Sequence, residues 1–202
     1  MKRFLLFVSL LSAAFFNAPA QEEGSSLLFY LSGENQVKAD YAAGAATPNF
    51  ASNVSIIEDG YAGKGIRCAL GQRFAYKAPG NIYAQRGTLS FYWRGHEPFG
   101  KTEFPIFRVG FADHSSWDMV WLRIDWNGHG LDAFVTDNNL VRVRVSTELA
   151  RKPDPDEWSH IAFSWDETTG IKLYYNGEMI ARKDTSVVLN TGLDQFGPHS
   201  RM

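Results

Sequence analysis

From Leu27 onward the chain reads as short apolar runs broken by turn residues, and within the longer runs apolar and polar positions alternate. Thr88 to Arg94 places Leu89, Phe91 and Trp93 on one side and Ser90, Tyr92 and Arg94 on the other. Met119 to Trp126 repeats the pattern, with Val120, Leu122, Ile124 and Trp126 facing one way and Met119, Trp121, Arg123 and Asp125 the other. In Val141 to Val145 three valines alternate with Arg142 and Arg144, and Ile161, Phe163 and Trp165 alternate with His160, Ala162 and Ser164. A period of two is the signature of a β-strand, whose successive side chains point to opposite faces. Each run therefore predicts a strand with one face in a core.

Turn chemistry supplies the connections. Asn176-Gly177, after Tyr174-Tyr175, tolerates the two positive φ angles of a type I′ turn and predicts a tight hairpin. Asp137-Asn138-Asn139 and Asn127-Gly128-His129-Gly130 predict two further reversals. Ala39 to Pro48, rich in Ala and Gly, and Arg151 to Asp156, with two prolines, predict surface loops. Strand, turn, strand, with no helical period and no internal repeat, is the organisation of a single sandwich or barrel.

The amino terminus changes the picture. Lys2-Arg3, a nearly all-apolar run from Phe4 to Phe16, and Ala18-Pro19-Ala20 form the three parts of a secretory signal peptide over residues 1–20. The apolar run is too short for a bilayer-spanning helix, which needs about 20 residues. The expectation is export to the cell envelope or beyond, with one domain over residues 21–202. Cys68 is the only cysteine, so an internal disulfide is excluded and stability has to come from the core or from ions; within Gly65 to Leu70 the thiol reads as a small buried apolar group. With 22 acidic against 20 basic residues and no long like-charge run, the chain lacks the basic balance of a nucleic-acid binder.

Several segments carry a family likeness. Trp158-Ser159-His160-Ile161-Ala162-Phe163-Ser164-Trp165-Asp166, then Gly170 to Gly177, resembles the stretch of laminin G-like domains in which a W-x-H-hydrophobic strand is followed by one ending in a D/N-G turn. Gly87-Thr88-Leu89-Ser90-Phe91-Tyr92-Trp93 is similar to the family's earlier G-T-hydrophobic-S-aromatic strand, and Gly60 to Leu70 to the G-x-x-G-K stretch before it. The resemblance implies a concanavalin A-like all-β fold, two antiparallel sheets packed as a jelly roll. Family members usually finish with a strand of the form hydrophobic-D-E/D-hydrophobic-R-hydrophobic-aromatic. This sequence reaches Gly197 to Met202 without one, so the expectation is a jelly roll lacking its final strand, in a domain truncated at its carboxyl end.

Catalytic patterns are weak. Glucanases of the superfamily resemble each other in an E-x-D-x-E strand, which sets two carboxyl groups on one face; here Asp154, Asp156 and Glu157 lie in a proline-broken loop and Asp166-Glu167 are adjacent. No Gly-x-Ser-x-Gly elbow is present, and His96, His114, His129, His160 and His199 show no zinc-like spacing. The resemblance implies calcium as the ion, and Asp113, Asp118, Asp137 and Asn138, in or beside predicted turns, are the hard oxygen donors available for it. Tyr92, Arg94, Trp121, Arg123, Arg142, Arg144 and Tyr174 form the set expected to face outward. Rings of this kind stack on sugar faces, and guanidinium forks recognise carboxylate or sulfate. The sequence thus points to a non-catalytic binding module for a glycan or an extracellular protein surface. Its rivals are a glycoside hydrolase or lyase of the same fold, and a structural or adhesion domain with a free sheet edge.

Overall fold

In the computed structural model the described residues are 26–68, 73–95, 100–111, 120–137, 139–186, 196 and 199–202. No helix occurs among them. The early chain forms short strands β1 (Phe29–Tyr30), β2 (Tyr41–Ala42), β3 (Phe50–Ser52), β4 (Ser55–Ile57), β5 (Gly65–Arg67) and β6 (Arg73–Ala75). They pair antiparallel as β1 with β2, β3 with β6 and β4 with β5. Longer strands follow: β7 (Arg86–Trp93), β8 (Phe104–Gly110), β9 (Val120–Trp126), β10 (Leu131–Thr136), β11 (Arg142–Ser146), β12 (Ser159–Asp166), β13 (Gly170–Tyr175) and β14 (Glu178–Lys183). These make two four-stranded antiparallel sheets, ordered β11-β10-β9-β8 and β14-β13-β12-β7.

The alternation read from the sequence builds the space between the sheets. Leu122, Ile124 and Trp126 of β9, Leu131, Ala133 and Val135 of β10, and Val143 and Val145 of β11 pack with Ile161, Phe163 and Trp165 of β12 and with Ile171 and Leu173 of β13. Gly87 sits opposite Trp165 in the β7–β12 register. A Cβ there would lie 2.5 Å from the indole, so only glycine leaves room for the ring. The Trp165 indole N–H donates to the Tyr83 carbonyl at 3.0 Å, and that of Trp126 to Gly100 at 3.1 Å. Both rings thereby keep their polar atom satisfied while contributing apolar area.

The predicted turns form. Asn176 and Gly177 have φ of 49° and 84°, the paired positive values of a type I′ turn, and join β13 to β14. Asn127 Oδ1 accepts the N–H groups of His129 (3.0 Å) and Gly130 (2.7 Å) in the reversal between β9 and β10.

Two departures from strict alternation matter later. Val109 is opposite Leu122 while Gly110 is opposite Val120, so β9 carries one extra residue, Trp121, in a β-bulge. At the same end of β8, Arg201 exchanges both backbone hydrogen bonds with Gly110 (2.8 and 3.1 Å), and Met202 exchanges both with Tyr76 (2.9 and 3.0 Å). Ser200–Met202 is therefore bonded on both sides, between the end of β8 and the residues that follow β6.

Candidate functional site

The outer face of the first sheet is charged and yet largely closed to solvent. Cross-strand register sets Arg108 of β8, Arg123 of β9, Phe134 of β10 and Arg144 of β11 in one row across the strands. Beside it runs the row Pro105, Asp125, Asp132 and Ser146. Thr136 and Arg142 pair on the other side. Every residue of β9 and β10 is buried, so neither strand has the open polar face that alternation suggests. The long side chains lie down over the sheet: the guanidinium carbons of Arg142 and Arg144 sit 4.8 and 5.3 Å from the centre of the Phe134 ring, which is fully covered. Such cation–π contacts contribute about 0.5–2 kcal/mol each, more as water is excluded. They also hold two guanidiniums over one ring.

Two ion pairs organise the centre. Arg123 Nε donates to Asp125 Oδ1 at 2.5 Å, with about a tenth of each side chain exposed, and Arg144 lies 3.2 Å from Asp132. Burial nonetheless pushes both carboxyls above the ordinary carboxylate range. In Asp125 it outweighs the Arg123 hydrogen bond, and Asp132 adds repulsion; in Asp132 it outweighs the attraction of Arg144. A raised folded-state value means that the folded protein holds these protons more tightly than the unfolded chain does. Their contribution therefore costs stability above the folded values and is relieved as pH falls through them toward 3.8. Asp40, Asp59 and Asp166 have the opposite sign. Backbone and side-chain donors hold them low, so their stabilisation is present above 3.8 and lost as pH falls through their depressed values. Urea unfolding at a series of acidic pH values should show the wild type gaining on Asp125→Asn/Asp132→Asn as pH is lowered toward 3.8; a constant difference between the two proteins would show that these carboxyls are not shifted.

The residues expected to face outward together are split three ways. Arg123, Arg142 and Arg144 converge on the face just described. Tyr92, Arg94 and Tyr174 belong to the second sheet and its margin, on the far side of the sandwich. There Tyr92 stacks on Tyr61 with ring centres 3.4 Å apart and meets the His160 ring at 5.1 Å, and His160 Nε2 is 2.8 Å from Ser90 Oγ. Arg94 bonds Asp59 at 2.8 Å and lies 4.7 Å from the centre of the Trp158 ring. Tyr92 and Arg94 thus clamp the Asp59–Tyr61 loop onto β7. Tyr174, opposite Ala162 and Met179, is half-buried.

Trp121 corrects the expectation for its position. It is 0% exposed, edge-to-face with Trp165 at 5.5 Å and with Phe196 at 5.3 Å, because the bulge turns it from the outer face into the core. Its indole nitrogen finds no hydrogen-bond partner among the described residues. Of the calcium candidates, Asp113, Asp118 and Asn138 lie outside the described residues, as do residues 1–20, which the sequence reading assigns to a signal peptide. Asp137 Oδ1 accepts the N–H groups of Asn139 and Val141, both at 2.8 Å, and so closes the β10–β11 turn. Among the described residues no three His, Cys, Asp or Glu side chains cluster closely enough to hold a metal.

Arg108, Phe134 and the Asp125/Asp132 pair were not picked out from the sequence. The two aspartates are directly opposite in the β9–β10 register, which puts their Cβ atoms about 4.5–5.5 Å apart. The Asn127 to Gly130 turn fixes that register, so folding the hairpin on paper about that turn would have found them.

Known proteins of this shape include binding domains and an endo-beta-1,4-glucuronan lyase from the fungus Trichoderma reesei, the latter at 11% identity and a TM-score of 0.52 over 76% of each chain. At 17% identity the chain superposes on the binding domain of Paraclostridial Mosquitocidal Protein 1 with a TM-score of 0.63, covering 87% of this chain and 43% of that one. The botulinum neurotoxin serotype G binding domain gives 14% identity and a TM-score of 0.59 over 79% of this chain and 39% of its own. The chain thus spans less than half the length of these two toxin domains. Domain 4 of AbnA, an extracellular arabinanase of Geobacillus stearothermophilus solved with arabinotriose, gives 15% identity and a TM-score of 0.59, covering 87% of this chain and 80% of that one. No curated protein sequence matches the chain. Residues 81–197, more than half of the chain, match the Laminin_G_3 model, described as the concanavalin A-like lectin/glucanases superfamily. With its two antiparallel sheets in place, the chain belongs to that laminin G-like family of the concanavalin A-like superfamily.

Proposed function

We propose that this protein is an exported, non-catalytic binding module whose first sheet recognises a carbohydrate bearing carboxylate or sulfate groups. The observation that carries the reading is the Phe134 platform, where the Arg142 and Arg144 guanidiniums are both held over one buried ring. Pre-oriented forks lose little rotamer freedom on meeting a planar anion, and bidentate contact adds geometric selectivity. The amino-terminal export signal supports an extracellular setting, where acidic polysaccharides and cell-surface glycans are met. The binding and arabinotriose-bound domains of like shape support a recognition role.

The hydrolase or lyase alternative has one structural observation behind it, the opposed Asp125 and Asp132, since retaining glycoside hydrolysis needs carboxyls about 5 Å apart. Each is tied to an arginine and nearly buried, which suits a support for the arginine face better than a proton donor open to substrate.

A glycan-binding assay on the purified protein tests the proposal. Polyuronates or sulfated glycans should bind and neutral glycans should not, and affinity should fall as salt is raised. Arg142→Ala and Arg144→Ala should each weaken binding about tenfold or more, since a hydrogen bond to a charged group contributes about 1.5–3 kcal/mol. Binding of neutral glycans, or binding indifferent to both substitutions, would overturn it.

A further inference from the structure

We propose that the β10–β11 hairpin tip, where Leu140 and Val141 stand in front of Arg142 and Arg144, is a site of peripheral attachment to an anionic lipid surface. Leu140 is 67% exposed and Val141 58%, although Val143 and Val145, on the same side of β11 as Val141, lie in the core. Scattered exposed aliphatic residues are ordinary on a protein surface. The backbone sets this pair apart. Leu140 has a φ of 62°, in the left-handed region, whereas the other non-glycine residues with positive φ among those described are Gln36, Asn53 and Asn176. Asparagine accepts that region because its short polar side chain bonds locally, and leucine has no such compensation. The turn enforces the conformation. The Leu140 N–H donates to the Asp137 carbonyl at 3.1 Å, the Asp137 N–H donates to the Val141 carbonyl at 2.9 Å, and Asp137 Oδ1 ties Asn139 and Val141. Folding alone would favour glycine or asparagine here, so the leucine serves a contact outside the turn.

Distance and charge identify the surface it meets. A strand rises about 3.4 Å per residue, which places the backbone of Arg142 about 3–7 Å behind Val141 and Leu140 and that of Arg144 about 10–14 Å behind. The headgroup layer of a bilayer is about 5–8 Å deep on each side of the hydrocarbon. With both aliphatic side chains at the hydrocarbon boundary, Arg142 stands among the headgroups and Arg144 at their outer margin, where anionic lipids attract cations. Asp137, the acid of this segment, is occupied with backbone N–H groups inside the turn. An apolar tip behind which cations gather is the composition of an interfacial anchor. A pocket on a partner protein would accept Leu140 and Val141 but would give the two arginines no role. The tip belongs to β11, at the opposite edge of the sheet from β8 and its Ser200–Met202 neighbour. Two aliphatic side chains and two cations make the attachment reversible and dependent on both.

Co-sedimentation of the purified protein with vesicles tests this. Phosphatidylcholine vesicles containing phosphatidylserine should bind it, pure phosphatidylcholine vesicles should not, and binding should weaken as salt is raised. Leu140→Asn should weaken association about tenfold or more. The same variant should unfold at an equal or higher urea concentration, since asparagine suits the backbone that leucine strains. It keeps both arginines and should bind polyuronate as the wild type does, so failure of this proposal and failure of the glycan reading are told apart. No binding to phosphatidylserine vesicles, or association untouched by Leu140→Asn, overturns the proposal. A lower urea midpoint for Leu140→Asn also overturns it, by showing that the leucine serves the turn itself. So does sedimentation showing that the wild type self-associates through the tip and Leu140→Asn does not.

Discussion

Trp121→Ala is expected to remove about 3–5 kcal/mol of unfolding free energy, the range for deleting a large buried aromatic ring. Domains of this size hold about 5–15 kcal/mol in all, so the variant should be close to unfolding at room temperature. The ring is completely buried and bridges the sheets, edge-on to Trp165 of the second sheet and to Phe196 near the end of the chain. Trp121→Phe should recover most of the loss. It keeps a ring in the cavity and gives up no hydrogen bond to any described residue. Urea unfolding of the three proteins measures this. A loss below about 1 kcal/mol for the alanine variant would mean that the side chain lies on the outer face, as simple alternation would have it.

Asp125→Ala is expected to cost about 3–5 kcal/mol, because it removes the short hydrogen bond from the nearly buried Arg123 and leaves that charge in a poorly solvated place. Replacing both partners, Arg123→Met with Asp125→Leu, should cost far less and can even stabilise. The raised carboxyl of Asp125 already shows that burial outweighs what the guanidinium returns. A thermal or urea series over the single and double variants separates the two effects. If the double variant were as unstable as Asp125→Ala, the pair would be a source of net stability and not a cost borne for the shape of the face. Glycan binding should weaken in the double variant as well, since Arg123 adjoins Phe134 in the row beneath the Arg142/Arg144 platform.

The strands were legible because the core wrote them. Val143 and Val145 against Arg142 and Arg144, and Ile161, Phe163 and Trp165 against their polar neighbours, each fall on the side that alternation assigns. The Asn176-Gly177 turn was legible for a local reason, as its backbone angles suit few other pairs. Trp121 was not legible. A bulge depends on how β9 meets β8, and nothing within Val120 to Trp126 announces the extra residue. The closed outer face was missed for a similar reason. Whether Arg123 stands in water or lies across Phe134 depends on strands that the turns bring beside it, and a charged side chain at an outward position looks the same either way. Tyr92 and Arg94 were rightly read as outward, but the loop that occupies them comes from Asp59 and Tyr61, about thirty residues upstream in sequence.

The edge-to-face contact between Trp121 and Trp165 has an optical consequence. The two indoles belong to different sheets and lie 5.5 Å apart at 85° in a fixed chiral setting, close enough for their excited states to couple. The protein should therefore carry a strong near-ultraviolet circular dichroism band that reports the distance between the sheets. Far-ultraviolet dichroism reports mainly the backbone of the strands. A state that kept its strands while the sandwich loosened would lose the first signal and retain the second.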